Sequence, residues 1–184
     1  LLAAYLAAKG DDAGKRVLCG QIERGRTERL NAAIWFSDLA DFSRIADTEP
    51  DEIVPLLNDY ADCQVAAIHS QGGQVLKFIG DGILAIFPID DAASACRRAL
   101  DAAGAALARQ TEMNRWRTEK GLPVTRFYLG LHLGEVLYGN IGSADRLDFT
   151  VVGPAVNEAS RISALCRSVD RDLVVSAAFA GATR

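Results

Sequence analysis

The chain has 184 residues, a formal net charge of −4, 49% hydrophobic residues and 24% charged residues. A globular chain of this length typically buries about 70% of its unfolded surface, which suffices for one core but not for two large domains. The acidic balance argues against a protein that binds the nucleic-acid backbone, and no apolar run approaches the roughly 20 residues that span a bilayer.

The chain divides into a helical lead-in with a polar connector over residues 1–29 and a single domain over residues 30–184. It begins with Leu1 and carries no signal peptide, so we expect a cytoplasmic piece of a longer protein. We also expect a fused sensor or regulatory domain upstream, and membrane attachment of the full-length protein stays open.

Hydrophobic periodicity predicts alternating strands and helices within the domain. The turn Gly80-Asp81-Gly82 is a strong hairpin signal, and Gly153-Pro154 marks the start of a helix, because Pro is favoured at the first helical position. In chain order the predicted elements are a strand over 31–38, a helix that Glu49-Pro50 opens and Gly72-Gly73 ends, strands over 74–79 and 83–87, a helix over 91–119, strands over 127–133, 137–141 and 147–152, a helix from Pro154, and a short strand over 173–175.

The order β-α-β-β-α-β from residue 31 to residue 133 predicts an α+β fold with a ferredoxin-like palm core, extended by extra strands and a helix. In that topology the first strand lies antiparallel to the third. The C-terminal end of the first strand, at Asp38, then meets the hairpin turn at Asp81. We therefore expect these two acids to be neighbours at one end of the sheet.

Two adjacent carboxylates repel each other unless a proton or a cation lies between them. Hard oxygen ligands of this kind suit Mg²⁺, which completes its shell with water and substrate phosphates. The alternatives are a helix N-cap for Asp38 and a turn residue for Asp81. The segment after Asp38 turns from strand towards helix, so its backbone N–H groups are candidates for binding a triphosphate. These candidates are Leu39, Ala40, Asp41, Phe42 and Ser43.

Asn157 and Arg161 form a second candidate group, because residues four apart lie on one face of a helix. A guanidinium neutralises charge on an anionic transition state, and an amide fixes orientation. Alone, this spacing also fits a solvated helix face. Zinc and disulfide chemistry are disfavoured because the four cysteines lie far apart and form no Cys-x-x-Cys pair: Cys19, Cys63, Cys96 and Cys166. A Ser-His-Asp triad is disfavoured because the chain has only two histidines, His69 and His132.

Three ordered segments together resemble the catalytic domain of class III nucleotidyl cyclases: Phe36-Ser-Asp-Leu-Ala-Asp-Phe-Ser, Leu76-Lys-Phe-Ile-Gly-Asp-Gly and Val152-Gly-Pro-Ala-Val-Asn-Glu-Ala-Ser-Arg. The resemblance covers residues 30–176 and implies the class III cyclase fold. It also implies cyclisation of a nucleoside triphosphate to a 3′,5′-cyclic monophosphate with release of pyrophosphate. A protein that makes such a cyclic nucleotide is expected to act in intracellular signal transduction. Head-to-tail homodimers with active sites at the subunit interface are implied as well.

Position by position, the resemblance implies that Asp38 and Asp81 hold two Mg²⁺ or Mn²⁺ ions for in-line attack of the ribose 3′-OH. Asn157 and Arg161 match the family's transition-state pair, and the acids of one subunit would serve the partner's remaining residues. Lys77 and Thr150 match the residues that bind the purine. A Lys donates to the adenine N1 acceptor and a Thr oxygen accepts from the amino group, whereas guanine presents the reverse. An unsatisfied buried donor costs about 1–3 kcal/mol, which favours ATP by about 5- to 150-fold.

The sequence departs from the family pattern at three points. Asp41 stands where relatives usually carry Gly in the loop beneath the phosphates, and Ala40 stands where many carry a basic residue. Family domains also continue through a further β-hairpin, so we expect this piece to lack it. An adenylate cyclase is the favoured interpretation. Two alternatives stay open: a cyclase-like regulatory module that binds nucleotide without turnover, and another palm-type nucleotidyl transferase.

Overall fold

The computed structural model describes residues 27–89, 91–142 and 147–183, so the predicted lead-in over residues 1–26 lies outside the described residues. The predicted strands and helices occur in the predicted order, together with two short helices, over 42–48 and 177–182, that were not predicted. They are β1 Thr27–Leu39, α1 Phe42–Thr48, a 3₁₀ turn Pro50–Glu52, α2 Ile53–Ser70, β2 Gln74–Ile79, β3 Gly82–Pro88, α3 Ala92–Glu119, β4 Phe127–Gly142, β5 Leu147–Val152, α4 Pro154–Val169, β6 Leu173–Val175 and α5 Ala177–Ala182.

The strands form one sheet in the order β2-β3-β1-β4-β5, with β6 parallel to β4 and every other pair antiparallel. This order confirms the ferredoxin-like core and places β1 between β3 and β4, as the element pattern predicts. Residues of β2 and β5, at opposite ends of the strand order, also approach within 8 Å between Cα atoms. The sheet is therefore strongly curled.

Alternation along β1 sends successive side chains to two separate cores. Ala33, Trp35 and Leu39 face the core built with α2 and α3. Ala32 and Ile34 face the opposite core, which α4 covers. Both long helices thus share one face of the sheet, and α4 is placed on the face towards which Asp38, an even-numbered position of β1, projects.

Two predicted boundaries are wrong. The connector over 27–29 is the start of β1, which pairs with β4 along its whole length, from Thr27 opposite Gly139 to Leu39 opposite Phe127. The predicted strands over 127–133 and 137–141 are a single strand, β4. Gly134 interrupts the strand pattern of the sequence, yet the strand continues through it. A glycine is needed there for packing, because a Cβ would lie 2.7 Å from the Cβ of Ala155 on α4.

A buried arginine joins the two long helices of the same layer. The side chain of Arg117 on α3 is 1% exposed. Its guanidinium forms an ion pair with Asp59 on α2, and its Nη2 lies 3.3 Å from Oε2 of Glu52. Its Nε also donates to the carbonyl oxygen of Pro123 at 2.7 Å. A buried guanidinium needs this many partners, because an unpaired buried charge is strongly destabilising.

Cys63, Cys96 and Cys166 are buried free thiols, whereas Cys19 lies outside the described residues. Within the described ranges, no helix is both long and apolar enough to span a membrane.

Candidate active site

The two predicted acids meet at the end of β1. Ser37 and Ile83 form the last register pair between β1 and β3, so Asp38 and the turn residue Asp81 follow directly beyond it. Gly82 permits this approach, because a Cβ there would lie 2.0 Å from the Ser37 carbonyl oxygen. The Leu39 amide donates to Oδ2 of Asp81 at 3.0 Å and fixes that carboxylate beside the strand end.

The electrostatics of the pair fit a divalent cation. The pKa of Asp38 is raised to about 6, mainly by partial desolvation and also by the hydrogen bond and charge of Asp81, whereas the Leu39 amide and Arg167 act in the opposite direction. Two hard oxygen ligands that disfavour each other's charge are a suitable donor set for Mg²⁺. Among the described residues no cluster of three or more His, Cys, Asp or Glu side chains could hold a metal. Mg²⁺ typically completes its coordination shell with water and substrate phosphates.

A buried polar network lies beneath the acids and was not predicted from the sequence. Oγ of Ser37 donates to Oε1 of Gln64 at 2.6 Å and accepts from the amide of Ile83 at 3.2 Å. Nε1 of Trp35 donates to the same Gln64 oxygen at 3.3 Å. These bonds join α2 to the β1–β3 register one residue before Asp38. Polar residues at apolar-face positions, Ser37 and Gln64, were the available signal.

In the loop after Asp38, two backbone amides of the predicted phosphate-binding set already have hydrogen-bond partners. The amide of Leu39 is committed to Asp81, and that of Ala40 donates to the carbonyl oxygen of Arg126 at 2.8 Å. Backbone amides of these two residues are thus not free for a triphosphate. Asp41 is the N-cap of α1 in a left-handed conformation, with φ 54°, and its side chain makes no capping bond. Phe42 packs against the main core and Ser43 is exposed.

Arg167, near the C-terminal end of α4, is a further charged residue at this site that was not predicted from the sequence. Its Nη2 lies 4.0 Å from Oδ1 of Asp41, and its charge reaches Asp38. Its guanidinium also lies 5.9 Å from the ring centroid of Tyr128, the β4 residue directly opposite Asp38. Sequence spacing gave no signal for Arg167, because α4 follows the first acid by more than a hundred residues.

Asn157 and Arg161 lie on the exposed surface of α4, whose buried face carries Ala155 and Ala159. The side chain of Arg161 is 78% exposed and lies 3.9 Å from Glu158. Within the described part of the chain, neither residue makes a hydrogen bond or ion pair with the acid pair. A single chain therefore brings the two acids together but not the two candidate groups.

Lys77 and Thr150 lie on the two strands that the curled sheet brings near each other. Lys77 is exposed on β2, opposite Leu84 of β3. Thr150 on β5 is 3% exposed, and its Oγ1 has no hydrogen-bond partner in the described structure. A buried hydroxyl without a partner is uncommon and marks a position where a ligand group could bond.

The geometry agrees with the comparison to known proteins. Residues 26–178 match the family model described as the adenylate and guanylate cyclase catalytic domain. The chain belongs to this family. The cyclase domain is 34% identical over 163 residues to an adenylate cyclase of Anabaena cylindrica, covering 84% of this chain and 31% of the relative. It is 31% identical over 156 residues to adenylate cyclase 1 of Rhizobium meliloti, covering 82% of this chain and 23% of the relative.

Solved structures show the same fold. A bacterial light-regulated adenylyl cyclase superposes with a TM-score of 0.83 at 28% identity, over 98% of this chain and 53% of that one. The guanylyl cyclase Cya2 superposes with a TM-score of 0.76 at 30% identity, over 86% of this chain and 80% of that one. The cyclase domain thus resembles proteins of both nucleotide specificities, and it spans less than a third of the length of the two curated relatives.

Proposed function

We propose that the domain is an adenylate cyclase that converts ATP to 3′,5′-cyclic AMP and pyrophosphate at the interface of a homodimer. The observation that carries the proposal is the adjacent pair Asp38 and Asp81, held by the Leu39 amide and by the close approach of Gly82. Membership of the cyclase family supports the reaction class. The preference for ATP rests on the side chains that would contact the base.

Lys77 and Thr150 favour adenine by the direction of their hydrogen bonds. The ammonium of Lys77 only donates, which suits the N1 acceptor of adenine. The unpartnered hydroxyl of Thr150 can accept from the 6-amino group. Guanine would place a donor against Lys77 and so leave two donors facing each other. This mismatch is the physical basis for the proposed discrimination.

Each residue has a distinct role in the proposed mechanism. Asp38 and Asp81 would hold the divalent cations, which in their bound state lower the pKa of the ribose 3′-OH and stabilise the leaving pyrophosphate. Arg161 would neutralise charge on the α-phosphoryl oxygens, and Asn157 would orient the ribose so that its 3′ oxygen faces phosphorus. No general base is assigned.

The placement of the two groups supports a site shared between subunits. Asn157 and Arg161 are solvent-exposed on α4 and make no described contact with their own chain's acids. In a two-fold dimer, one subunit's acids can face the partner's exposed α4 residues, and symmetry creates two equal sites. Each chain alone would then be a half-site.

The direct test of the proposal is cyclic AMP formation from ATP with Mg²⁺ or Mn²⁺, compared with cyclic GMP formation from GTP. We expect ATP to be preferred, and we expect Lys77→Glu to reduce kcat/KM for ATP by about 10-fold or more while affecting GTP less. Lys120→Glu, at an exposed position beyond α3, is the matched charge-reversal control. An equal loss for both nucleotides would contradict base recognition by Lys77. Tight ATP binding without product would instead favour a non-catalytic regulatory module.

A further inference from the structure

The backbone of α4 at Arg167 is held in place by packing, whereas the Arg167 side chain is exposed to solvent. Cys166, the preceding residue, is fully buried with Ala40 and Tyr128 in a small apolar cluster, and its Sγ donates to the carbonyl oxygen of Leu129 at 3.4 Å. This packing fixes the last turns of α4 against the loop that follows β1. The Arg167 side chain itself is 64% exposed. Its guanidinium can therefore move to a ligand without any change in the fold.

The two arginines beside Tyr128 differ in how fully their charges are paired. Arg126 lies 5.2 Å from the Tyr128 ring centroid, 2.7 Å from Asp170 and 3.2 Å from Asp172, so two carboxylates hold it. Among the described residues, Arg167 forms an ion pair with one carboxylate, that of Asp41, at the long distance of 4.0 Å. An ion pair this long and this exposed contributes little. Arg167 is thus the more available cation.

The position of Arg167 relative to the acids suggests what it binds. Tyr128 is the register partner of Asp38, so a guanidinium over its ring lies beside the end of β1 where the acids meet. Arg161 lies six residues earlier on α4, about 120° away around the helix. The helix therefore directs Arg167 to its own chain's acids and Arg161 to a different surface.

We propose that Arg167 is a phosphate-binding residue of the half-site containing Asp38 and Asp81, where it contacts the terminal phosphates of the nucleoside triphosphate bound to the same subunit. Asp41 is its counter-ion when no nucleotide is bound. This inference rests on the proposed function, since it assigns a further residue to the same site. The inference also assigns a role to the Asp41 carboxylate. When a triphosphate binds, its phosphate replaces the Asp41 carboxylate as the anion paired with Arg167.

The test measures binding of magnesium pyrophosphate to the full chain by titration calorimetry, because this probe carries the terminal phosphates without the base. We expect Arg167→Gln to weaken binding by about 5- to 30-fold, as expected for a charged hydrogen bond reduced by solvent exposure, and Arg167→Lys to weaken it less. Adenosine binding should not change. Arg171→Gln, an exposed arginine bonded to the carbonyl oxygen of Asp170, is the matched control and should not weaken pyrophosphate binding.

The counter-ion role has its own variant. Asp41→Asn should tighten pyrophosphate binding by about 2- to 5-fold because it removes a competing anion, whereas Asp47→Asn, at an exposed position on α1, should leave it unchanged. Thermal unfolding checks that every variant folds. Unchanged or weaker binding in Asp41→Asn overturns the counter-ion role.

The outcomes separate this inference from the proposed function. If the protein makes no cyclic AMP but binds pyrophosphate through Arg167, the proposed function fails and the inference stands. If it makes cyclic AMP and Arg167→Gln binds pyrophosphate as tightly as the parent, the inference alone fails. A parent protein that does not bind magnesium pyrophosphate also overturns it, as does an equal loss of adenosine and pyrophosphate binding in Arg167→Gln.

Discussion

Asp38, a proposed metal ligand, opposes the stability of its own fold. Its carboxyl is held beside Asp81 and partly desolvated, which raises its pKa from 3.8 to about 6. The folded protein therefore retains a proton that the unfolded chain releases between about pH 4 and pH 6. As the pH rises through this window, the contribution of Asp38 to the free energy of unfolding falls, and it stays at its lowest value above pH 6.

Asp38→Asn should therefore stabilise the metal-free protein at pH 7 but not at pH 4. Because solvent screens part of the repulsion, we expect a rise in melting temperature of about 2–4 °C at pH 7, which is the shift that 1 kcal/mol causes in a domain of this size. Added Mg²⁺ should raise the melting temperature of the parent protein and not that of the variant. Asp47→Asn is the exposed control. Equal shifts at both pH values would contradict a raised pKa for Asp38.

The juxtaposition of the two acids was predictable from the sequence, but the contacts that support it were not. Asp38 and Asp81 stand out because an acid ends an apolar strand and another fills a glycine hairpin. Arg167 gives no local signal, because its place beside Asp38 depends on α4 packing against the end of β1, whereas Gln64 is marked only as a polar residue at an apolar-face position of α2. For the same reason, no local pattern indicates that the amides of Leu39 and Ala40 are bonded to tertiary partners.

At the scale of elements, the layer that supports the site depends on the junction between α2 and α3. Arg117 provides it through Asp59, Glu52 and the carbonyl oxygen of Pro123. The periodicity of α2 and α3 was predicted, because an apolar stripe at 3.6-residue spacing is a local property. The ion pairs between the helices join residues more than fifty positions apart, so no local pattern indicates them.

Arg117→Ala should lower the free energy of unfolding by about 3 kcal/mol, because it leaves two partly buried carboxylates without their cation and removes packed side-chain volume. The matched control is Arg115→Ala on the same helix, whose pair with Glu112 is exposed, with side chains 68% and 66% accessible. It should change stability by no more than about 0.5 kcal/mol. Denaturant unfolding measures both variants, and similar losses in the two would show that the Arg117 cluster has no special role.

At the scale of the whole molecule, the arrangement of α4 indicates how two chains would cooperate. One face of the helix closes the second core, while Asn157 and Arg161 remain on the surface. A homodimer of this family would complete each site with residues from both subunits. Activity should then rise with protein concentration through the dimerisation range.

Mixing Asp81→Ala chains with Asn157→Ala chains should restore about a quarter of the parent activity, because half of the randomly formed dimers are mixed and each contains one intact site. Mixing Asp38→Ala with Asp81→Ala chains is the matched control. It should restore nothing, since both lesions fall in the same half of the site. A dead first mixture, with dimers confirmed by sedimentation, would contradict the shared site.

The sequence by itself determined the order of the elements, the ferredoxin-like core and the position of the acids at the end of β1, because these follow from local periodicity, turn residues and connection rules. Tertiary structure decided where β4 runs unbroken past Gly134, which backbone amides are already bonded, and which arginine lies beside Asp38. Those features depend on contacts between residues far apart in the chain, which local sequence patterns do not record.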